Sequence, residues 1–488
     1  MELSFLRRAR SGRASAGPST VGPGTAGLGR SALLLLGLRL LGVGGQLILL
    51  AYLANRLSMA QMAVFALCYA ALGLVRVLGP LGMDQASLRL LALTRQAGGT
   101  GSDPGARLAA AGLAMSALTG VLVAMLAAIL LLAGWLPGFS GGLDPVTGWA
   151  MVAALPAHVL IGLLVGQLRG LGHNLAAQAP EALVLQLGTL GLVGLAGAQW
   201  AVPALALASW AVVIVQLFLR HLALRRRRES RLPARFGRAE CLALLRSGWP
   251  VLQAQGLNAL SVRAPLFLAA ATSSPGVAAA AVAQLEVALR LGNLPSLLTG
   301  SVGATFCPRL ARQARAGDRP GLARSRRAIG LMAGVPALAY LALSILLAGP
   351  VLEGVLPPAY RAAALPLGFI ALAAAANAVW AGASYQLLMS DRAEVVRRYG
   401  LLRLAVLTLV ALLLAPEWGA AGVAMAVAAG GVLADGGMAL SLWREDRDRL
   451  GERTPTHAAG RDAPRPSCQA SRAAAQAKSR KAGFGRAK

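Results

Sequence analysis

Residues 221–246 read HLALRRRRESRLPARFGRAECLALLR, with eight arginines (Arg225, Arg226, Arg227, Arg228, Arg231, Arg235, Arg238 and Arg246) against Glu229 and Glu240. The run lies near the middle of the 488-residue chain, and the sequence on either side is almost wholly long apolar segments. A run this charged has no place in hydrocarbon and must sit in water at one face of a bilayer. The two apolar halves hang from it.

Composition points the same way. The chain is 56% hydrophobic and only 14% charged, with a mean hydropathy of +0.62, whereas charge is about a quarter of an ordinary soluble chain. The net charge of +28 would suggest a nucleic-acid partner only if it lay on a folded, water-facing surface. Here it fills the gaps between apolar segments, where positive charge sets membrane orientation, so no nucleic acid is expected. Cys68, Cys241, Cys307 and Cys468 are scattered and form neither a disulfide framework nor a metal-binding cluster. The first apolar run follows a Gly/Ser/Arg-rich leader without a small-residue cleavage pattern, and reads as a retained helix rather than a signal peptide.

A spanning helix needs about 20 mostly apolar residues. By that ruler the first half holds six segments, at 31–55, 59–82, 108–136, 149–168, 182–198 and 200–219. The second half holds six more, at 247–271, 277–306, 329–348, 362–389, 400–415 and 419–443. The expected fold is all-α and polytopic, with twelve transmembrane helices in two six-helix bundles around a central cleft. The corresponding divisions are a basic tail 1–30, an N-terminal bundle 31–220, a basic linker 221–246, a C-terminal bundle 247–444 and a disordered basic tail 445–488. Of the 47 lysines and arginines, 40 then fall in gaps on one side, only Arg56 and Arg361 on the other, and five within segments. Positive charge collects on the cytoplasmic side, which places both termini and the linker there.

The halves echo each other. Arg76-Val-Leu-Gly-Pro-Leu in the second segment resembles Arg290-Leu-Gly-Asn-Leu-Pro in the eighth, and the sixth and twelfth segments both end in arginine-rich runs. Six segments followed by six in the same orientation imply two bundles related by an axis along the membrane normal. Gly37, Gly42, Gly44 and Gly45 in the first segment and Gly188, Gly191, Gly194 and Gly197 in the fifth are expected to serve close helix packing.

Charge inside hydrocarbon costs about 2.5 to 3.5 kcal/mol at mid-helix and so marks function. The arginines within segments are Arg39, Arg76, Arg263, Arg290 and Arg403, and they are the candidate substrate-binding residues of a cationic cleft. At about 1.5 Å per residue, Arg39 lies about 12 Å from the cytoplasmic end of its segment, and Arg290 is also near mid-depth. Glu286 and Arg290 are four apart on one helical face with the acid N-terminal, the arrangement that favours an ion pair. Glu286 and Asp435 are the candidate coupling or ion-pair acids. His158 reads as a packed, neutral imidazole. There is no phosphate-binding glycine loop ending in Lys-Ser/Thr, no HExxH, no GxSxG and no aqueous gap large enough for a catalytic domain. Neither a catalytic residue nor a metal site nor a cofactor is expected.

Several motifs resemble polysaccharide-type members of the multidrug/oligosaccharidyl-lipid/polysaccharide (MOP) exporter superfamily. They are Met62-Ala-Val-Phe-Ala-Leu, Leu81-Gly-Met-Asp-Gln-Ala-Ser-Leu-Arg, Leu168-Arg-Gly-Leu-Gly-His, Pro308-Arg-Leu-Ala, Leu356-Pro-Pro-Ala-Tyr-Arg-Ala-Ala-Ala and Pro416-Glu-Trp-Gly-Ala-Ala-Gly-Val-Ala. The resemblance covers residues 31–444. It implies a flippase of the bacterial inner membrane that moves a polyprenyl-diphosphate-linked oligosaccharide, an O-antigen or exopolysaccharide repeat unit, by alternating access. Membrane lipids, a coupling H+ or Na+, and a polysaccharide polymerase with glycosyltransferases are the partners expected beside that substrate. Where many relatives open the eighth segment with Gly-x-Tyr, this chain has Val277-Ala-Ala-Ala-Ala-Val. Two other readings stay open: a cation-coupled multidrug exporter of the same fold, and a non-transporting scaffold of a polysaccharide biosynthesis complex. Five arginines against two acids within segments favour the first reading.

Overall fold

The helix at the centre of the first half, α5 (Pro145–Gly170), is buried along most of its length, and α2 (Met59–Leu78), α3 (Met83–Gln96), α4 (Pro104–Leu132) and α7 (Ala201–Arg225) pack around it. The counterpart in the second half is α12 (Ala364–Met389), packed by α9 (Ala278–Gly292), α10 (Pro295–Ala316) and α11 (Arg319–Val355). These centres are the fourth and tenth predicted segments, at equal places in the two halves. The coordinates are a computed structural model that describes residues 25–96, 104–134, 144–225, 237–274, 276–390 and 392–451, and no strand occurs among them.

Three further helical stretches complete the chain. α1 (Thr25–Arg56) lies on α6 (Asn174–Ala196), α8 (Arg238–Thr272) bridges the halves, and α13 runs over Ala393–Gly451. α2 begins at Ser58, whose side chain accepts from the Gln61 amide while Gln61 reaches back to the Ser58 amide. This reciprocal cap satisfies two amides that a helix start leaves bare. α13 is two helices joined at Gly419, where φ is 50°.

Nine helical stretches among the described residues are long and apolar enough to cross a membrane, and Ala393–Arg447, which counts as one, covers both the eleventh and the twelfth predicted segments. The remaining two segments are helical but do not qualify. In α8 the apolar run is thinned by Gln253, Gln255, Asn258 and Arg263. The eighth segment, expected to be continuous over 277–306, breaks at Asn293. Pro295 supplies no amide for the helical ladder and sits instead in the first turn of α10, while the Asn293 side chain turns back to the Leu289 carbonyl at 2.8 Å.

Helix ends also depart from the expected limits. α1 begins at Thr25, inside the predicted tail, and α13 continues to Gly451. α7 runs on to Arg225 and α8 starts at Arg238, so the helices take both ends of the 221–246 linker. Helices that leave the hydrocarbon need no apolar residues to continue in water. The predicted tails at 1–24 and 452–488 and the linker core at 226–236 lie outside the described residues.

Close helix packing falls partly elsewhere than expected. Gly42 and Gly45 do abut α6, where added Cβ atoms would stand 3.1 Å from Ala182 and 3.3 Å from Gln186; Gly37, Gly44, Gly191 and Gly194 face open space. The tight seam is instead on α5, where a Cβ at Gly166 would lie 2.2 Å from the Asp84 carbonyl oxygen and one at Gly162 would lie 2.4 Å from that of Arg76. Glycines four apart let the α2–α3 segment approach backbone to backbone.

Candidate functional site

The halves meet where α2 packs on both α8 and α9; Tyr69 and Gly73 of α2 meet arginines of those helices, and Arg76, farther along α2, pairs with α6. Spacings of four and seven put these three α2 residues one above another on a helix. The Tyr69 ring receives the Arg290 guanidinium from α9 at 4.4 Å and the Arg263 guanidinium from α8 at 5.7 Å. From α1, Gln46 Nε2 donates to the phenol oxygen at 2.9 Å. Gly73 makes room for one of the cations, since a Cβ there would stand 2.9 Å from Arg263 Nε. A phenol face attracts a guanidinium by about 0.5 to 2 kcal/mol, most when water is excluded.

Arg290 Nε donates to Glu286 one turn earlier on α9, and Glu286 is 2% exposed. Its Nη1 and Nη2 are buried without any hydrogen-bond partner among the described residues. A guanidinium has five donors in a planar fork, and here one edge is held while the other stays unmet. Arg263 forms no ion pair among the described residues, and its guanidinium lies over the Tyr69 ring. The site thus offers two cations, one carboxylate and two bare donors.

The remaining candidates lie apart from this cluster. Arg39 is exposed on α1, with Nε donating to Gln178 Oε1 at 3.3 Å. Arg76 is paired with Glu181 of α6. Arg403 donates to Asp435 Oδ2 at 2.6 Å, and Asn377 of α12 donates to the same oxygen at 3.2 Å. That triad ties the two parts of α13 to α12. His158 is buried, with Nδ1 3.1 Å from the Ala154 carbonyl. Arg220, counted by sequence with the water-facing linker, is 5% exposed, and its Nε and Nη2 have no hydrogen-bond partner among the described residues.

A cavity of about 930 Å³ opens near the α1–α2 turn and the start of α9, lined by Gln61, Asp144, Thr147, Gln199 and Ser273 among alanines and valines. None of the five candidate arginines lines it. Ser274 Oγ donates to the Pro416 carbonyl at 3.1 Å, and Val277 approaches Gly419. The departure at Val277 therefore sits against the break in α13.

The lipid II flippase MurJ in an inward closed conformation matches with a TM-score of 0.67 at 13% identity, covering 84% of this chain and 87% of that one. The chain has the fold of the MOP transporters. An inward-facing multidrug resistance MATE family transporter of the MOP superfamily gives a TM-score of 0.65 at 16% identity, over 86% of this chain and 96% of that one. The MATE transporter VcmN of Vibrio cholerae gives 0.57 at 15% identity, over 87% and 98%. No family model and no curated protein matches the sequence. The matched structures are those of a flippase and of MATE transporters, and the nine apolar stretches accord with a multi-pass membrane protein.

Sequence reasoning missed Glu181, Tyr69, Gln46, Gln178 and Asn377. Glu181 fell one residue before the predicted fifth segment, whose helix in fact begins at Asn174. Its signal was available, because an unpaired arginine at Arg76 calls for an acid somewhere in the fold.

Proposed function

We propose that the chain is a flippase for polyprenyl-diphosphate-linked oligosaccharides, working by alternating access with both termini in the cytoplasm of a bacterial inner membrane. The observation that carries this is the pair Arg263 and Arg290 on one tyrosine ring, with Arg290 Nη1 and Nη2 unmet. Planar guanidinium forks match phosphate oxygens two at a time, and a diphosphate between the halves would take up the bare donors. The isoprenoid tail stays among the lipid chains. A multidrug exporter would instead turn free carboxylates to a cationic cargo, yet Glu286, Glu181 and Asp435 each hold an arginine. Asp144 is the sole acid lining the cavity among the described residues. A scaffold has no need of bare donors at a helix crossing.

The experiment is flipping of a fluorescent polyprenyl-diphosphate oligosaccharide in proteoliposomes. Arg263→Ala, Tyr69→Leu and Gly73→Val are expected to cut the rate at least tenfold, about 1.4 kcal/mol of lost recognition, with Arg263→Ala and Gly73→Val melting close to the parent and Tyr69→Leu, which also loses the Arg290 contact, about 1 kcal/mol less stable. Gly73→Val acts by pushing Arg263 off the α2 face. Parental rates in all three, or export of a cationic dye with no lipid flipping, reject the reading.

A further inference from the structure

α6 is not a regular helix. Between Asn174–Ala179 and Gln186–Ala196, residues Pro180–Leu185 form a π-turn. Pro180 has no amide for the ladder, which allows the wider turn, and such turns mark functional positions more often than chance. The residue that this turn presents to α2 is Glu181. Its Oε1 meets Arg76 Nη1 and its Oε2 meets Nη2, the latter at 2.7 Å, a fork-to-fork pair. The side chains are 28% and 27% exposed, so the pair is not sealed in the core.

Further guanidinium charge gathers there. Arg169, at the end of α5, is within electrostatic reach of Glu181, Arg76 and Arg39. Arg39 is held by Gln178, three residues before Glu181. Among the described residues Glu181 and Asp84 stand against these three cations, and Asp84 also takes a hydrogen bond from Gln85. From α7, Gln216 donates to the Ala177 carbonyl, and from α5 the imidazole of His158 is engaged by Ala154. The cluster is one positive charge in excess even with Glu181 in place.

We propose that Glu181 is an internal stand-in for the substrate's anion: it occupies the fork of Arg76, beside Arg39 and Arg169, until a diphosphate displaces it. A carboxylate and a phosphate present the same two-oxygen edge to a guanidinium, so one replaces the other without moving Arg76. The π-turn gives Glu181 a second position to retire to, by closing to α-helix. The proposal rests on the flippase reading and gives that carrier a second anion station in its N-terminal half.

The test is binding of farnesyl diphosphate and of inorganic pyrophosphate to the purified full chain in lipid nanodiscs, by calorimetry. An occupied fork lowers apparent affinity by its free fraction, so Glu181→Gln is expected to bind about tenfold tighter than the parent. Glu181→Gln/Arg76→Gln loses the gain, and Glu181→Asp falls between. A melt for each variant checks that it is folded. A gain for both probes assigns the station to the diphosphate group itself; a gain for the farnesyl probe alone assigns it to the lipid form. Unchanged or weaker binding in Glu181→Gln overturns the proposal, even where proteoliposomes still flip the oligosaccharide lipid and the flippase reading stands. A gain that depends on Arg76, with no flipping by the parent, keeps the anion station and rejects the flippase.

Discussion

Arg290→Gln melts well below the parent, and adding Glu286→Gln to it restores most of the loss. The carboxylate of Glu286 is 2% exposed and is answered by the Arg290 guanidinium. Removing either partner of a buried pair strands the other charge, at about 3 to 5 kcal/mol, whereas removing both costs much less and can be neutral. Loss of the Arg290 contact with Tyr69 adds about 1 kcal/mol, and the second substitution does not repair it. The double variant should therefore recover incompletely. Flipping separates structure from recognition. All three variants are expected to lose it, because the Nη donors are gone in Arg290→Gln and in the double, and in Glu286→Gln the freed fork is no longer held against the ring. A double variant no more stable than its worse parent would mean that the pair is not what fixes α9. One that flips at the parental rate would remove Arg290 from the substrate's path.

How much of this was legible depends on whether partners are near in sequence. Glu286 and Arg290 are four apart, and their ion pair follows from helical spacing alone. Arg76 and Glu181 are 105 residues apart, and Arg403 and Asp435 are 32. No local pattern joins either pair, so each arginine looked free. Tyr69 sits in an ordinary apolar stretch, and only the crossing of α8 and α9 over α2 turns its ring into a platform. Apolar runs announce helices because burial in lipid demands them, and the gap between the eleventh and twelfth segments falls at the Gly419 break, but the break at Asn293 and the π-turn at Pro180 leave hydropathy nearly unchanged. They show as prolines at Pro180 and Pro295, and proline within a membrane helix is common enough that position alone does not mark a break. Arg220 was misplaced for the opposite reason. It adjoins a run of arginines in the sequence, while its own face of α7 turns inward with Gln216.

Gly248→Val in α8 is expected to be the other severe change, though no charge is involved. The α2–α3 turn takes Leu81 to φ 51° and Gly82 to φ 75°, the left-handed region where a side chain adds about 1 to 2 kcal/mol of strain. This turn lies directly on α8: a Cβ at Gly82 would be 2.2 Å from the Gly248 carbonyl oxygen, and one at Gly248 would be 2.8 Å from the Gly82 carbonyl carbon. Beside the contact Leu244 is fully buried among Met83, Ala86, Ala111 and Leu163. The start of α8, which belongs by chain order to the second half, is therefore packed into the first. Any rocking of one half on the other has to turn about this point or open it. Gly248 has ordinary helical backbone, so Gly248→Ala carries only the steric cost. Gly82→Ala adds the strain and should melt lower, and Gly248→Val should exceed Gly248→Ala. Gly300, with nothing within 4 Å of an added Cβ, is the control and should tolerate alanine, apart from any effect on backbone entropy. Melting temperature and flipping are read together. Overpacking of this kind costs about 1 to 3 kcal/mol, and flipping in Gly248→Val should fall further than that loss of folded protein explains, because the halves are wedged at their contact. A Gly248→Val protein as stable and as active as the Gly300→Ala control would show that α8 does not bear on the α2–α3 turn, and the bridge between the halves would have to be sought elsewhere along α8.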